Sequence, residues 1–129
     1  MSGTQERSPG NVMQAVSNAM VKLHEEQFGR GPTNARSSFA GPDTLVCTLE
    51  DSLLPAERTM VEMGEDQRVR ESRMFLQVAS QARFIAAVEE PVSRTVRTFA
   101  SAIDPAPGVV FEVFSFVPED TQTDGAAQV

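Results

Sequence analysis

The sequence of 129 residues predicts an α+β fold, and three observations support this prediction. Apolar residues recur at helical spacing in one segment near the N-terminus and in two consecutive segments in the middle of the chain. Two further segments alternate as strands do, and a Gly/Pro turn divides each of them. The order helix, hairpin, helix, helix, hairpin predicts a mainly antiparallel four-stranded sheet with the helices packed on one face.

The first helix is expected to run from Asn11 to Phe28. Asn11 is the predicted N-cap, because Gln14 follows it at the spacing of a capping box. Gly29 is the predicted C-cap, since glycine readily adopts the left-handed conformation that often ends a helix. The apolar stripe that should face the core consists of Val12, Ala15, Val16, Ala19, Met20 and Leu23.

The first hairpin is predicted to pair residues 35–40 with residues 44–49 across a Gly-Pro-Asp turn. Because side chains alternate along a strand, Leu45, Cys47 and Leu49 should share one face. Cys47 is the only cysteine of the chain. Its place in an apolar run favours a small buried side chain over a nucleophile.

Two helices should follow this hairpin. Pro55 suits the first turn of the shorter one, which is expected to end near Gly64. The longer one is predicted over residues 65–90, and Pro91 should stop it. The charged residues of the longer helix, Arg73 among them, are assigned to a solvated face. The residues expected to face the core are Ala56, Met60 and Met63 in the shorter helix and Val69, Phe75, Leu76, Ala79, Ala82, Ile85 and Ala86 in the longer one.

The second hairpin is predicted to pair residues 95–103 with residues 109–117. In the last strand, Phe111 and Val113 should lie on the face opposite to that of Phe114. Both faces of this strand therefore carry bulky apolar side chains. We expect a second subunit to cover one of them, which predicts a homodimer.

Residues 11–117 should form a single domain, because a chain of this length supports one modest core. Residues 1–10 and 118–129 are polar and are predicted to be disordered tails. The 11 Lys+Arg and 18 Asp+Glu residues leave a net charge of −7, which argues against binding to duplex nucleic acid. No apolar segment approaches the roughly 20 residues that span a bilayer, and no secretory signal is present. The protein is therefore expected to be cytoplasmic and not to insert into a membrane.

The sequence contains no pattern of residues that predicts catalysis, a metal site or a cofactor. His24 is the only histidine, and its charged neighbours on the first helix predict an exposed surface position. One cysteine and one histidine do not provide the ligand spacing of a zinc site, and no EF-hand loop is present. We therefore predict a protein that is not an enzyme and that holds no metal or cofactor.

An anion-binding site is the alternative that the sequence leaves open. The segment Gly29–Pro32 offers backbone N–H groups, and Arg36 adds a guanidinium group to that of Arg30. A structural cap with an arginine ion pair to Glu50 or Glu57 is favoured, because the P-loop pattern is absent and the segment follows a helix instead of a strand. A site for an anion such as a nucleotide or bicarbonate, or for a partner, would comprise Gly29, Arg30, Gly31, Pro32, Arg36, Glu50, Glu57 and Arg58.

Two segments of the chain, FGRGPTNAR and LVCTLEDSLLPAERTMVEMG, resemble the MpsC-like family of small bacterial proteins. The family pattern is an aromatic residue with Gly-Arg-Gly-Pro, an Ala/Thr-Arg step, an apolar strand ending in Leu-Glu, and then Leu-Thr-Pro-Ala-Glu-Arg. The resemblance extends over roughly residues 12–117. The positions that match the pattern are Gly29, Arg30, Gly31, Pro32, Arg36, Leu49, Glu50, Pro55, Glu57 and Arg58.

One position departs from the family pattern, because Leu54 stands where a threonine is expected. A threonine would cap the following helix, so leucine should cost about 1 kcal/mol of stability unless Ser52 takes its place. The family name refers to a Na⁺-translocating, membrane-potential-generating system. The resemblance implies no catalytic residues. It implies an accessory or regulatory component of a membrane system that handles ions or bicarbonate, acting through protein contacts.

Overall fold

Three helices and four strands make up residues 8–119, the part of the chain that the computed structural model describes. Residues 1–7 and 120–129, which hold most of the two predicted tails, lie outside the described residues. The α+β fold and the four-stranded antiparallel sheet are confirmed. In chain order the elements are α1 (Pro9–Phe28), β1 (Asn34–Phe39), β2 (Thr44–Glu50), α2 (Pro55–Glu62), α3 (Asp66–Val92), β3 (Val96–Asp104) and β4 (Val109–Phe116).

The strands lie in the order β1-β2-β4-β3, and each neighbouring pair is antiparallel. The two central strands place Leu45 opposite Phe114 and Leu49 opposite Val110. These side chains lie beneath α1 and α3 and form the centre of the core. The predicted common face of Leu45, Cys47 and Leu49 is confirmed, because all three are fully buried.

A stack of three phenylalanine rings joins α3 to the sheet. The ring of Phe84 on α3 lies 5.8 Å from that of Phe99 on β3, and Phe99 lies 4.7 Å from Phe114 on β4. Stacked aromatic rings at these distances stabilise a core beyond the area that they bury. The stack therefore fixes where α3 crosses the sheet.

The start of α1 differs from the prediction, and its end agrees with it. Ser8 is the N-cap in place of Asn11: its Oγ accepts a hydrogen bond from the Asn11 N–H at 3.1 Å, and Pro9 occupies the first helical position. A serine followed by proline is a strong helix start because both residues suit the unsatisfied first turn. At the other end Gly29 is left-handed (φ 84°), and its N–H donates to the Glu25 carbonyl, as a C-cap requires.

The core-facing side of α3 is only partly the predicted one: Val69 is buried as expected, and Leu76 and Ile85 are half-buried. Phe75 is 74 % exposed, and Ala79, Ala82 and Ala86 are also exposed. The prediction failed because the buried side includes an arginine and a serine, whose polarity obscures the helical period of the apolar residues. The residues of α3 that are buried are Val69, Arg73, Ser80, Phe84 and Val88.

α3 also extends past its predicted stop. Pro91 lies inside the last turn, and the helix ends at Val92. The end is set by Ser93, whose backbone is left-handed (φ 61°) and whose N–H donates to the Glu89 carbonyl at 2.8 Å. Pro91 removes only its own N–H from the helical ladder, so the last turn tolerates it.

The side of α2 that faces the protein is only partly the predicted one, since Met60 packs half-buried against the core as expected. Ala56 and Met63 are exposed, and Glu57 is the residue of α2 that is buried. α2 packs against α3, where Glu57 meets a partner of opposite charge. The apolar pattern missed this residue because a carboxylate is rarely buried unless it is paired.

The outer face of the sheet, opposite α1 and α3, carries apolar side chains at its centre. Phe111 is 40 % exposed, and Val113 pairs with Val46 across the two central strands. Both faces of the last strand thus carry bulk, as the sequence indicates. An antiparallel sheet is stable with one face in water, so this face does not by itself demand a partner. The homodimer stays a prediction.

Candidate functional site

The segment Gly29–Pro32 packs back onto α1. A Cβ atom on Gly31 would lie 2.7 Å from the Glu25 Cγ and 3.1 Å from the Val21 carbonyl oxygen, so a side chain at this position would collide with the helix. Pro32 is buried. The segment thus needs glycine for a close approach as well as for the cap.

Arg30 is committed to the loop between β2 and α2. Its Nη1 donates to the carbonyl oxygens of Asp51 (3.0 Å) and Leu53 (2.6 Å), and its Nη2 donates to the Asp51 carboxylate at 3.2 Å. Arg58 donates to the other oxygen of the same carboxylate at 3.4 Å. Asp51 has a left-handed backbone (φ 55°), which these contacts help to hold.

Arg36 takes a different partner from Arg30 and Arg58. It lies on β1 with its guanidinium 3.9 Å from the Glu50 carboxylate, and both side chains are largely exposed. The structure therefore divides the eight sequence-predicted residues among the α1 cap, the loop around Asp51, this exposed pair and the buried Glu57. The anion site stays a prediction, and the observed contacts favour the structural role of the arginines.

Glu57 and Arg73 form a buried ion pair between α2 and α3. Nε and Nη2 of Arg73 each donate to one oxygen of the Glu57 carboxylate at 2.7 Å, and Nη2 also donates to the Ser52 carbonyl at 2.6 Å. The two side chains are 10 % and 7 % exposed. Burial raises the pKa of Glu57, but the hydrogen bonds from Arg73 and from the Leu54 N–H and the charge of Arg73 outweigh burial and lower this pKa below its usual value of 4.5.

Leu54 is the N-cap of α2 and has no side-chain acceptor to offer. Ser52 does not replace it, because its Oγ donates to the Leu49 carbonyl at 3.2 Å. One half of a capping box is present, since the Leu54 N–H donates to the Glu57 carboxylate at 2.8 Å. A threonine at this position would accept a hydrogen bond from an N–H group in the first turn of α2. With leucine there, those N–H groups lack a side-chain cap.

Replacing Leu54 by threonine is expected to raise the free energy of unfolding by about 0.5–1 kcal/mol, because the new hydroxyl accepts from a free N–H group at the start of α2. Urea unfolding of the wild type and the variant measures the difference. Leu54→Val keeps the β-branched shape without the hydroxyl and is the matched control. Equal stability of the threonine and valine variants would contradict the expectation.

His24 and Glu112 form a second buried pair, which the sequence did not predict. Nε2 of His24 lies 2.9 Å from Oε2 of Glu112, and the side chains are 4 % and 3 % exposed. The predicted surface position of His24 is therefore wrong: the residue faces the sheet and packs its ring edge against Phe84. A signal existed in β4, where Glu112 takes an inward position between the buried Val110 and Phe114.

A cavity of about 210 Å³ lies between α1, α3, β3 and β4, and the His24–Glu112 pair is part of its lining. Its walls are mainly apolar and include Phe28, Phe84 and Phe99. Glu112 is an acidic residue of this lining and is nearly fully buried. Apolar walls with a few convergent polar groups are the usual composition of a small-molecule site, so this cavity is the candidate functional site of the protein.

Cys47 is not suited to act as a nucleophile. Burial raises the pKa of its thiol to about 11, although a hydrogen bond with Ser37 opposes the change, and the nearby Glu112 adds to it. A thiol with this pKa stays protonated at neutral pH, and the thiolate is the reactive form. Ser37 in turn bonds to Ser17 at 2.7 Å, which ties β1 to α1.

Within residues 8–119, no group of three or more His, Cys, Asp or Glu side chains is arranged to hold a metal ion. No helix in this part of the chain is both long and apolar enough to cross a membrane.

The comparisons with known proteins identify a family. No curated protein and no solved structure matches the chain. A protein-family model described as "Na+-translocating membrane potential-generating system (MpsC)" matches residues 8–117, which is nearly all of the described chain. The match includes both segments that carry the sequence resemblance, and the chain therefore belongs to the MpsC family.

Proposed function

We propose that this protein is a non-catalytic accessory or regulatory component of a Na⁺-translocating, membrane-potential-generating system. In this proposal it is cytoplasmic, forms a homodimer, and acts through contacts with other proteins. Membership of the MpsC family supports the association with such a system. The function in protein contacts is supported by a row of exposed apolar side chains on α3.

This row, which we call the α3 row, consists of exposed side chains at helical spacing. Phe75 is 74 % exposed, and Val78, Ala79, Ala82 and Ala86 continue the row along the same side of the helix. Exposed apolar side chains scattered singly need no explanation, but a contiguous row points to an interaction surface. The α3 row also stands on a rigid 27-residue helix, so it requires no ordering on contact.

A second copy of the chain fits the α3 row. When two such helices pack antiparallel about a two-fold axis near Ala79, each Phe75 meets the small side chains of Ala82 and Ala86 on the other helix. The same arrangement brings Arg68 near Glu90 of the other copy at each end. This self-complementarity of size and charge favours a homodimer through α3 over one through β4, where the sequence had placed it.

Replacing Phe75 by glutamate is expected to raise the dissociation constant of the dimer by about 30-fold or more, because a central aromatic contact is lost and a charge is buried. Light scattering over a concentration series measures it. The matched control is Phe111→Glu on the outer face of the sheet, which should leave the dimer intact. A wild type that stays monomeric at micromolar concentration would refute the homodimer, and dissociation by Phe111→Glu alone would move the interface to the sheet.

The association with a membrane system is tested by purifying the tagged protein from membrane and soluble fractions. We expect an integral membrane subunit that translocates Na⁺ to co-purify in fixed proportion. The control is Met63→Glu, a substitution at an exposed position outside the α3 row, and this variant should still co-purify with the membrane subunit. Recovery of the homodimer alone from the membrane fraction would contradict the accessory role.

The anion-binding alternative has weaker support. Arg30 and Arg58 border a shallow depression beside α2, but Asp51 and Glu62 border it too, and their charges oppose an anion. Calorimetry with nucleotides and with bicarbonate tests this alternative. Heat of binding that disappears in Arg58→Ala would establish it, whereas no heat would remove it.

A further inference from the structure

We propose that the cavity beneath α1 and α3 is a binding site for a small, mainly apolar molecule that carries one N–H or O–H donor. In this site Oε1 of Glu112 accepts the hydrogen bond, and the aromatic walls hold the apolar body. The inference goes beyond the proposed function, since it concerns a ligand and not a protein contact.

The strongest reason is the state of the Glu112 carboxylate. Oε2 is hydrogen-bonded to His24, whereas Oε1 is buried and has no hydrogen-bond partner among residues 8–119. Leaving a buried acceptor unsatisfied costs more than a hydrogen bond normally contributes, so each such group in a native protein calls for an explanation, such as a functional role or a bound water or ion. Glu112 sits on a central strand of the sheet, where its side chain does not reach bulk water.

Three of the polar residues in the lining are already engaged with other partners. Ser80 Oγ donates to the Leu76 carbonyl at 2.8 Å, and Gln27 Nε2 donates to the same oxygen at 3.3 Å. Nε and Nη2 of Arg73 are bonded to Glu57 and the Ser52 carbonyl. Arg70, Gln77 and Ser101 also line the cavity, but none of them is buried, so water can satisfy them. Oε1 of Glu112 is the buried acceptor of the lining that has no partner within residues 8–119.

The size of the cavity and its access favour a ligand over a single water molecule. A cavity of about 150 Å³ already admits benzene, and this one has about 210 Å³. Phe28, Phe84 and Phe99 offer ring faces and edges to an apolar body. Met74, which is 61 % exposed, and the exposed Arg70 also line the cavity, so it opens to solvent on the side of α3.

Three probes that share a benzyl skeleton test the proposal: benzyl alcohol, benzylamine and toluene. Binding to the ¹⁵N- and methyl-labelled protein is followed by NMR at Ser101, Ile103 and Met74. A probe with a donor should bind at least about tenfold more tightly than toluene, because a hydrogen bond to a charged group is among the stronger kinds. Comparison of the alcohol with the amine shows whether the site takes a neutral or a cationic donor.

Two variants separate the site from general effects on folding. Glu112→Gln replaces the carboxylate by a neutral amide and should reduce the preference for the donor probes to below about threefold. Met74→Trp fills the mouth and should abolish binding of all three probes, with Met63→Trp, the same change at an exposed site outside the lining, as its control. Because Met74 is exposed, this test holds even if Glu112→Gln does not fold.

The opposite results would overturn the proposal. These are the absence of shifts at the cavity residues with every probe, equal binding of toluene and the donor probes, or unchanged binding in Met74→Trp. Any of them would mean that the space holds only water or that Oε1 does not select the ligand.

Discussion

Replacing Arg73 by methionine is expected to lower the free energy of unfolding by about 3–5 kcal/mol, because it leaves the buried Glu57 carboxylate without its partner. The variant loses both hydrogen bonds to that carboxylate and the one to the Ser52 carbonyl. It also removes the guanidinium that lies 4.1 Å above the Phe28 ring. Such a loss is a large part of the stability of a domain of this size.

Urea unfolding measures this loss, and Arg36→Met is the matched control. Arg36 pairs with Glu50 at 3.9 Å on the surface of the sheet, away from α3, so its removal should change the stability by less than about 0.5 kcal/mol. The double variant Arg73→Met with Glu57→Gln should recover part of the loss, since no buried charge is then left unpaired. A change below about 1 kcal/mol in Arg73→Met would show that the pair does not hold α2 on α3.

The same pair predicts how stability depends on pH. The pKa of Glu57 is lowered by folding, so the unfolded state binds its proton more readily. The resulting stabilisation is fully present above the unfolded pKa, near 4.5, and is lost as the pH falls through the lower pKa of the folded protein. In Glu57→Gln this contribution to the pH dependence should disappear, and a profile unchanged below pH 4.5 would contradict the assignment.

Replacing Phe114 by alanine is the second large change, with an expected loss of about 3–5 kcal/mol. Phe114 is fully buried, stacks on Phe99 at 4.7 Å, and pairs with Leu45 across the central strands. The vacated space adjoins rigid backbone on both sides of β4, so the core has little freedom to collapse into it. The variant removes the ring to which the aromatic stack beneath α3 is anchored.

The matched control lies on the other face of the same strand. Phe111 is 40 % exposed, so Phe111→Ala should cost about 1 kcal/mol or less. Urea unfolding of both variants, at a concentration that keeps the oligomeric state constant, compares the two faces directly. Equal losses in the two variants would mean that the outer face is as well covered as the inner one.

Local signals predicted the parts of the fold that depend on neighbouring residues. The left-handed Gly29 and the start of α2 at Pro55 follow from backbone preferences within a few residues. The alternating burial of Leu45, Cys47 and Leu49 follows from the two-residue period of a strand. The start of α1 was misplaced because Ser8 competed with Asn11 as the N-cap. The end of α3 was misplaced because the last turn tolerates Pro91.

The candidate site was harder to predict, because its residues come from distant parts of the chain. His24 and Glu112 are 88 positions apart, and the sequence around either residue does not indicate that the other is its partner. Arg73 looked like a surface charge on α3 until the fold placed Glu57 against it. The predicted site residues, by contrast, lie close in sequence, but Arg36 and Arg30 take separate partners.

Periodicity, capping and turn chemistry were enough to establish that this chain forms helices and antiparallel strands in an α+β arrangement, because these preferences act over a few residues. Which side of α3 faces the sheet depended on the packing of elements that are far apart in sequence. That packing buried Arg73 against Glu57 and His24 against Glu112, and it exposed Phe75. A charge is buried only where a distant partner compensates its lost hydration, so composition and spacing alone do not reveal such a site.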